Sequence, residues 1–204
     1  MLKLYCAPNT IAVAAITALN EGVHWEPIRI DFKHGEQTRP DYLAVNPKGR
    51  VPALVTPEGV LTETGAILEY LGETALPSFV PVDPLHRARM REIMYYLGTT
   101  MHVNHAHKLR GHRWADQASS FADMTAKVPE TMNASCAYLE PMVEGPYLMG
   151  PEPTLADFYL YAITRWLEGD GVDIGAFANL TAWQAVMETR ASVRKARADG
   201  FVTG

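Results

Sequence analysis

The spacing of apolar positions changes along the chain and divides it into two kinds of region. Leu2 to Tyr5 predicts a short strand. After the turn Pro8-Asn9-Thr10, the Ala-rich run IAVAAITAL predicts a helix over about 10–20, with Asn9 or Thr10 as N-cap and Gly22 as its stop. Trp25 to Phe32 (WEPIRIDF) alternates and carries β-branched residues, which predicts a second strand; Pro27 puts it at a sheet edge or at a strand start. The polar stretch KHGEQTRPDYLAV predicts a short irregular helix and NPKGR a loop. Ala53-Leu54-Val55 and Val60-Leu61-Thr62, joined at Pro57-Glu58-Gly59, predict a hairpin, and Thr64 opens a further helix, GAILEYLGETA. The order β-α-β-α-β-β-α implies an α/β sheet of four strands. A right-handed crossover makes the first two parallel, and the hairpin adds antiparallel strands.

LPSFVPVDP carries three prolines in nine residues and marks a boundary. Beyond it the pattern is helical. One long helix is predicted over LHRARMREIMYYLGTTMHVNHAHKL, a second over about 119–143, a third from Thr154, and two more between Leu180 and Ala198. The chain therefore divides into an α/β domain (1–77), a linker (78–83) and an all-helical domain (84–204). Composition narrows the role. The 204 residues are 48% hydrophobic, which suits packed domains and not disorder. A net charge of −5 argues against nucleic acid as the main partner. Cys6 and Cys136 are too few for a disulfide framework or a four-Cys zinc site, and two free thiols fit a reducing compartment. The opening MLKLYCAPNT has no long apolar core or small-residue cleavage site, and Ile11 to Leu19 is too short to span a bilayer. A soluble cytoplasmic protein without a membrane partner is expected.

Five segments carry candidate chemistry. Around Cys6, Asn9 and Thr10 a strand meets a helix N-terminus, whose unpaired N–H groups favour an anion such as a thiolate; the alternative is a plain cap with Cys6 as buried filler. In NPKGRVPAL, a cis Val51-Pro52 bond would turn the Val51 backbone toward an extended peptide ligand, whereas a trans proline would be an ordinary strand start. At Thr62-Glu63-Thr64-Gly65, a carboxylate and a hydroxyl at a strand-to-helix junction suit an amino-acid end group, or else Thr64 is only a cap. His102, His105, His107 and His112, with Lys108, Arg110, Arg113 and Trp114, have the wrong spacing for zinc, so no metal is expected; the cluster lines a cleft or faces solvent. Thr154 and Asp157 read as a structural capping box.

Taken in order, LYCAPN, NPKGRVPAL, LTETGAILEYL, the proline linker and PTLADFYLY resemble the glutathione transferase superfamily over essentially the whole chain, most closely its bacterial beta and nu types. The resemblance implies a thioredoxin-like domain followed by an all-helical domain, a homodimer, and glutathione as co-substrate. It further implies that Pro52 is the cis-proline and that Val51 pairs with the cysteinyl part of glutathione. Glu63 and Thr64 match the pair that holds the γ-glutamyl end, Lys48 and Arg50 lie toward the glycine end, and His102 lines the site. Beta-type members carry a cysteine in the first turn of the first helix, where this chain has Asn9, Thr10, Ile11 and Ala12. Nu-type members use an APN-like turn whose Asn or Thr donates to the sulfur, so the resemblance implies that role for Asn9 and Thr10, with Tyr5 and Cys6 as second choices. A small hydrophobic electrophile is placed against His105, His107, Arg110 and Trp114. The expected reaction is glutathione conjugation. Glutathione-dependent disulfide or peroxide reduction and non-catalytic glutathione or ligand binding are the alternatives.

Overall fold

A computed structural model describes residues 1–203. Strands β1 (Leu2–Cys6), β2 (Trp25–Arg29), β3 (Ala53–Thr56) and β4 (Gly59–Thr62) form one sheet in the order β2-β1-β3-β4. β1 and β2 are parallel, whereas β3 is antiparallel to both β1 and β4, as the crossover and hairpin required. Pro27 lies on the edge strand, where its missing N–H costs no ladder bond. β2 ends three residues before the predicted Phe32. The Asp31 carboxylate accepts the N–H groups of Lys33 and His34 at 2.8 and 3.3 Å, and this side-chain turn replaces the ladder.

Helix α1 (Ala12–Leu19) starts two residues later than predicted. Asn9 has φ 55°, a left-handed conformation that asparagine tolerates better than most residues. Thr10 does the capping work through its hydroxyl, which accepts the Ala12 N–H at 3.3 Å. The polar stretch resolves into a 3₁₀ turn (Glu36–Thr38) and α2 (Pro40–Leu43). Helix α3 spans Thr64–Thr74; Thr64 is its first helical residue and not its cap.

The helical half begins at α4 (Pro84–Tyr96). The single long helix predicted there is not regular: a π-helical segment, Leu97–Met101, separates α4 from α5 (His102–Arg110). Gly98 sits in this segment because a Cβ there would lie 2.9 Å from the Tyr159 hydroxyl. Helix α6 (Ala118–Leu139) ends four residues earlier than predicted and gives way to a 3₁₀ turn, Glu140–Met142. Then follow α7 (Leu155–Thr164), α8 (Ala178–Thr189) and α9 (Ala191–Ala198).

Every residue of α1 and of α7 is buried, and the two helices pack together where the sheet half meets the helical half. Small side chains on α1 permit the close approach. Gly72 serves the same seam, since a Cβ there would come within 2.8 Å of both Val80 and Leu155. Asp157 anchors α7 from inside the core. It accepts N–H groups of Leu148, Thr154 and Trp183 at 2.7–2.9 Å, and the Thr154 hydroxyl at 3.0 Å. Among the described residues no helix is long and apolar enough to cross a membrane.

Candidate active site

A cleft opens where the loop before β3, the start of α3 and the π-to-α5 segment face one another. It has two lobes of about 500 and 520 Å³, which share Ile11, Lys48, Arg50, Val51, His102, Ala106 and Arg113. Volumes of this size suit small-molecule ligands.

The first lobe gathers one group of predicted residues: Lys48, Arg50, Val51 and Pro52 from the loop, Glu63 and Thr64 from the strand-to-helix junction, and His102 and Trp114 from the helical half. The Val51-Pro52 bond is cis. Among the described residues none hydrogen-bonds the Val51 backbone N–H or C=O, so both remain available to an extended ligand. The loop is held from behind: the Tyr42 hydroxyl and the Asn46 amide each donate to the Arg50 carbonyl at 2.6 Å. Glu63 has φ 71° and ψ 123°, outside the comfortable regions for a residue with a Cβ. A conformation of that kind costs on the order of 1–3 kcal/mol and needs support from its surroundings. Lys48 supplies part of it by donating to Glu63 at 2.5 Å and to the Thr62 hydroxyl at 2.7 Å.

The second lobe gathers Asn9, Thr10, His105 and Arg110, again with His102. Asn9 is fixed through all its polar groups. Its N–H donates to the Phe201 carbonyl at 2.9 Å, its carbonyl accepts the Trp166 indole N–H at 3.0 Å, and its amide exchanges two hydrogen bonds with Thr203 at 2.6 and 3.0 Å. The Thr10 hydroxyl proton goes to the Ala7 carbonyl at 2.8 Å. His105 stacks on Trp166 with ring centres 4.0 Å apart and contacts the buried Asp170 carboxylate at 2.7 Å. Burial, followed by the neighbouring His105, Arg110, Arg113 and Arg50, pushes the His102 pKa down to about 4, so this ring is neutral at pH 7.

Three sequence candidates stand elsewhere. His107 lines neither lobe and packs edge-on against Trp114 at 4.5 Å. Cys6 is fully buried in the core, and burial pushes its thiol pKa up to about 12. Tyr5 also lines neither lobe; its ring packs against Tyr42 at 5.3 Å. Local pattern also did not single out Trp166 and Tyr159, which line the cleft, or Asp170 and Thr203, which hold His105 and Asn9 from behind. Their only sequence signal is chemical type, because their partners lie far away in the chain.

The comparisons agree with this architecture. The signature of the glutathione S-transferase N-terminal domain matches residues 1–73, and that of the glutathione S-transferase C-terminal domain matches residues 102–191. A solved glutathione transferase homolog from Sulfitobacter, with bound glutathione, is 51% identical and superimposes with a TM-score of 0.95 over 98% of this chain and 99% of its own. A maleylacetoacetate isomerase of Pseudomonas aeruginosa is 31% identical over 76% of this chain and 74% of its own length. The glutathione S-transferase GstA of Escherichia coli O157:H7 is 26% identical over 96% of each chain. By both signatures, and by relatives that match it along most of their length, the chain belongs to the glutathione transferase family.

Proposed function

We propose that this chain binds glutathione along the Val51 edge and transfers it to a small electrophile held against the helical half. The observation that carries this reading is the free Val51 backbone, flanked on one side by Glu63 and Thr64 and on the other by the Asn9 turn. An extended tripeptide pairs with Val51. Glu63 takes its ammonium group in place of the Lys48 contact it makes here, Thr64 and the first N–H groups of α3 take the γ-glutamyl carboxylate, and Arg50 lies toward the glycine end; Lys48, expected there, reaches to Glu63 and Thr62 instead. The sulfur then lies at the start of α1.

A free thiol with a pKa of about 8.5 is only a few per cent ionised at neutral pH. The field of the helix N-terminus and one donated hydrogen bond lower that value. The hydrogen-bond inventory favours Asn9 over Thr10 as the donor. An amide has two N–H hydrogens, and Asn9 uses one on Thr203; the single hydroxyl hydrogen of Thr10 is already spent on Ala7. The thiolate attacks the electrophilic carbon. A carbon–sulfur bond forms, the leaving group departs with its bonding pair, and the thiol proton passes to solvent. The protein's own thiols take no part, because burial raises both Cys6 and Cys136 to about 12. A cytoplasmic homodimer is proposed as the working form, in line with the family resemblance.

The test is a pair of variants. Asn9→Ala is expected to lower kcat/KM by about tenfold to a hundredfold and to move the thiol's kinetic pKa upward, the loss of one hydrogen bond to a charged group. Thr10→Ala is expected to do less. Unchanged turnover and an unchanged pH profile in Asn9→Ala would remove Asn9 from the mechanism.

A further inference from the structure

Three guanidiniums converge on the cleft without an acid to neutralise them. Arg50 comes from the loop before β3, Arg110 from the end of α5 and Arg113 from the 3₁₀ turn that follows. Among the described residues no carboxylate lies within ion-pair distance of any of them, and no side chain or carbonyl accepts from them. The two carboxylates in the cleft are already engaged, Glu63 by Lys48 and Glu69 by Arg91. The surplus cations stand in a chain of net charge −5, so they are a local arrangement and not a reflection of overall composition. Their proximity is costly: burial and mutual repulsion hold the pKa values of Arg110 and Arg113 below the usual arginine value. A cleft with low-dielectric walls concentrates such a field and draws anions in.

Resting on the proposed function, we infer that the electrophile carries a carboxylate and that Arg110 and Arg113 receive it. Glutathione's own acid groups do not exhaust the site. The γ-glutamyl carboxylate is placed at Thr64 and α3, and the glycine carboxylate at Arg50, since Lys48 is held by Glu63; this leaves Arg110 and Arg113 on the helical side. A guanidinium fork binds a carboxylate through two parallel hydrogen bonds, so it sets orientation as well as affinity. The neutral His102 ring and Trp114 provide the flat, uncharged walls beside it.

The experiment compares a chlorodinitrobenzoate with its methyl ester as acceptors for glutathione. In both, the thiolate sulfur bonds to the carbon bearing chlorine, chloride leaves with the bonding pair, and the proton goes to solvent. Each kcat/KM is divided by the uncatalysed rate constant with glutathione, because the ester is the more activated ring; on that scale the wild-type chain is expected to favour the acid by at least about tenfold, the magnitude of a charge-assisted hydrogen bond, and less so as salt is added. Arg110→Gln/Arg113→Gln should bring the ratio close to unity, while Arg113→Lys keeps part of it. Calorimetry with the matching S-aryl glutathione products, acid against ester, reads the same ratio without turnover. A wild-type ratio at or below unity, or one that the double variant leaves intact, overturns the inference. So does an equal loss of affinity for glutathione itself in the double variant, because the arginines would then serve the glycine carboxylate. Failure of the wild-type chain to take up glutathione at all would instead overturn the proposed function on which this inference rests.

Discussion

Asn9 shows how little a residue's sequence neighbours say about what holds it. Its type and its place before a helix are legible in the chain, and so is its aptitude for a turn. Its partners are not: Thr203 is 194 positions away and Trp166 is 157. The same applies to His105, whose buried partner Asp170 lies 65 positions on. His102 carries a prediction at this scale. In the folded chain its pKa is about 4, against about 6.5 for a histidine in an unfolded chain. Between those values the unfolded chain binds more protons, so stability rises with pH across the window and falls on acidification. Thermal unfolding followed from pH 7 to 4.5 is expected to fall less steeply in His102→Gln than in the wild-type chain. Parallel curves for the two would contradict the assignment. At neutral pH the ring therefore offers the site a hydrogen bond and not a charge.

Elements were legible where one periodicity governed them. The four strands, the crossover and the all-helical second half follow from local pattern, and the Thr154–Asp157 capping box follows from type and spacing. Their ends were less legible. β2 stops at the Asp31 turn, and the long helix is interrupted at Leu97–Met101, where no proline warns of it. The π segment places Gly98, Thr99 and His102 on the cleft, a place where such irregularities often serve function. Pro129 lies inside α6 and leaves that helix unbroken, contrary to the usual effect of proline. Asp157 gives the element-scale prediction. Asp157→Ala removes a cap and leaves buried donors of Leu148 and Trp183 without an acceptor, so a loss of about 3–5 kcal/mol is expected in denaturant unfolding. A loss under about 1 kcal/mol would mean that the carboxylate is dispensable to α7.

At the scale of the whole molecule, the site exists because two halves are held in register. α1 and α7 form the apolar seam, and Arg190 clamps Glu21 with paired hydrogen bonds of 2.9 and 2.8 Å while donating to the Tyr147 hydroxyl at 2.8 Å. The C-terminal residues return to the α1 turn through Phe201 and Thr203, so the place assigned to the sulfur is tied to the end of the chain. No local pattern shows this closure. The resemblance of ordered motifs implies the two-domain fold but names neither Phe201 nor Thr203. The arginine cluster was visible as a run of basic residues after His102, but its lack of acid partners emerges only when Arg50 is brought across the cleft.

The central claim is that glutathione bound at the Val51 edge is held as its thiolate by the start of α1. An ultraviolet titration of the thiolate in the glutathione complex tests it most directly. The account predicts ionisation at least about one pH unit below the free thiol's value of about 8.5. A midpoint at the free value, or no saturable thiolate signal at millimolar glutathione, would contradict it.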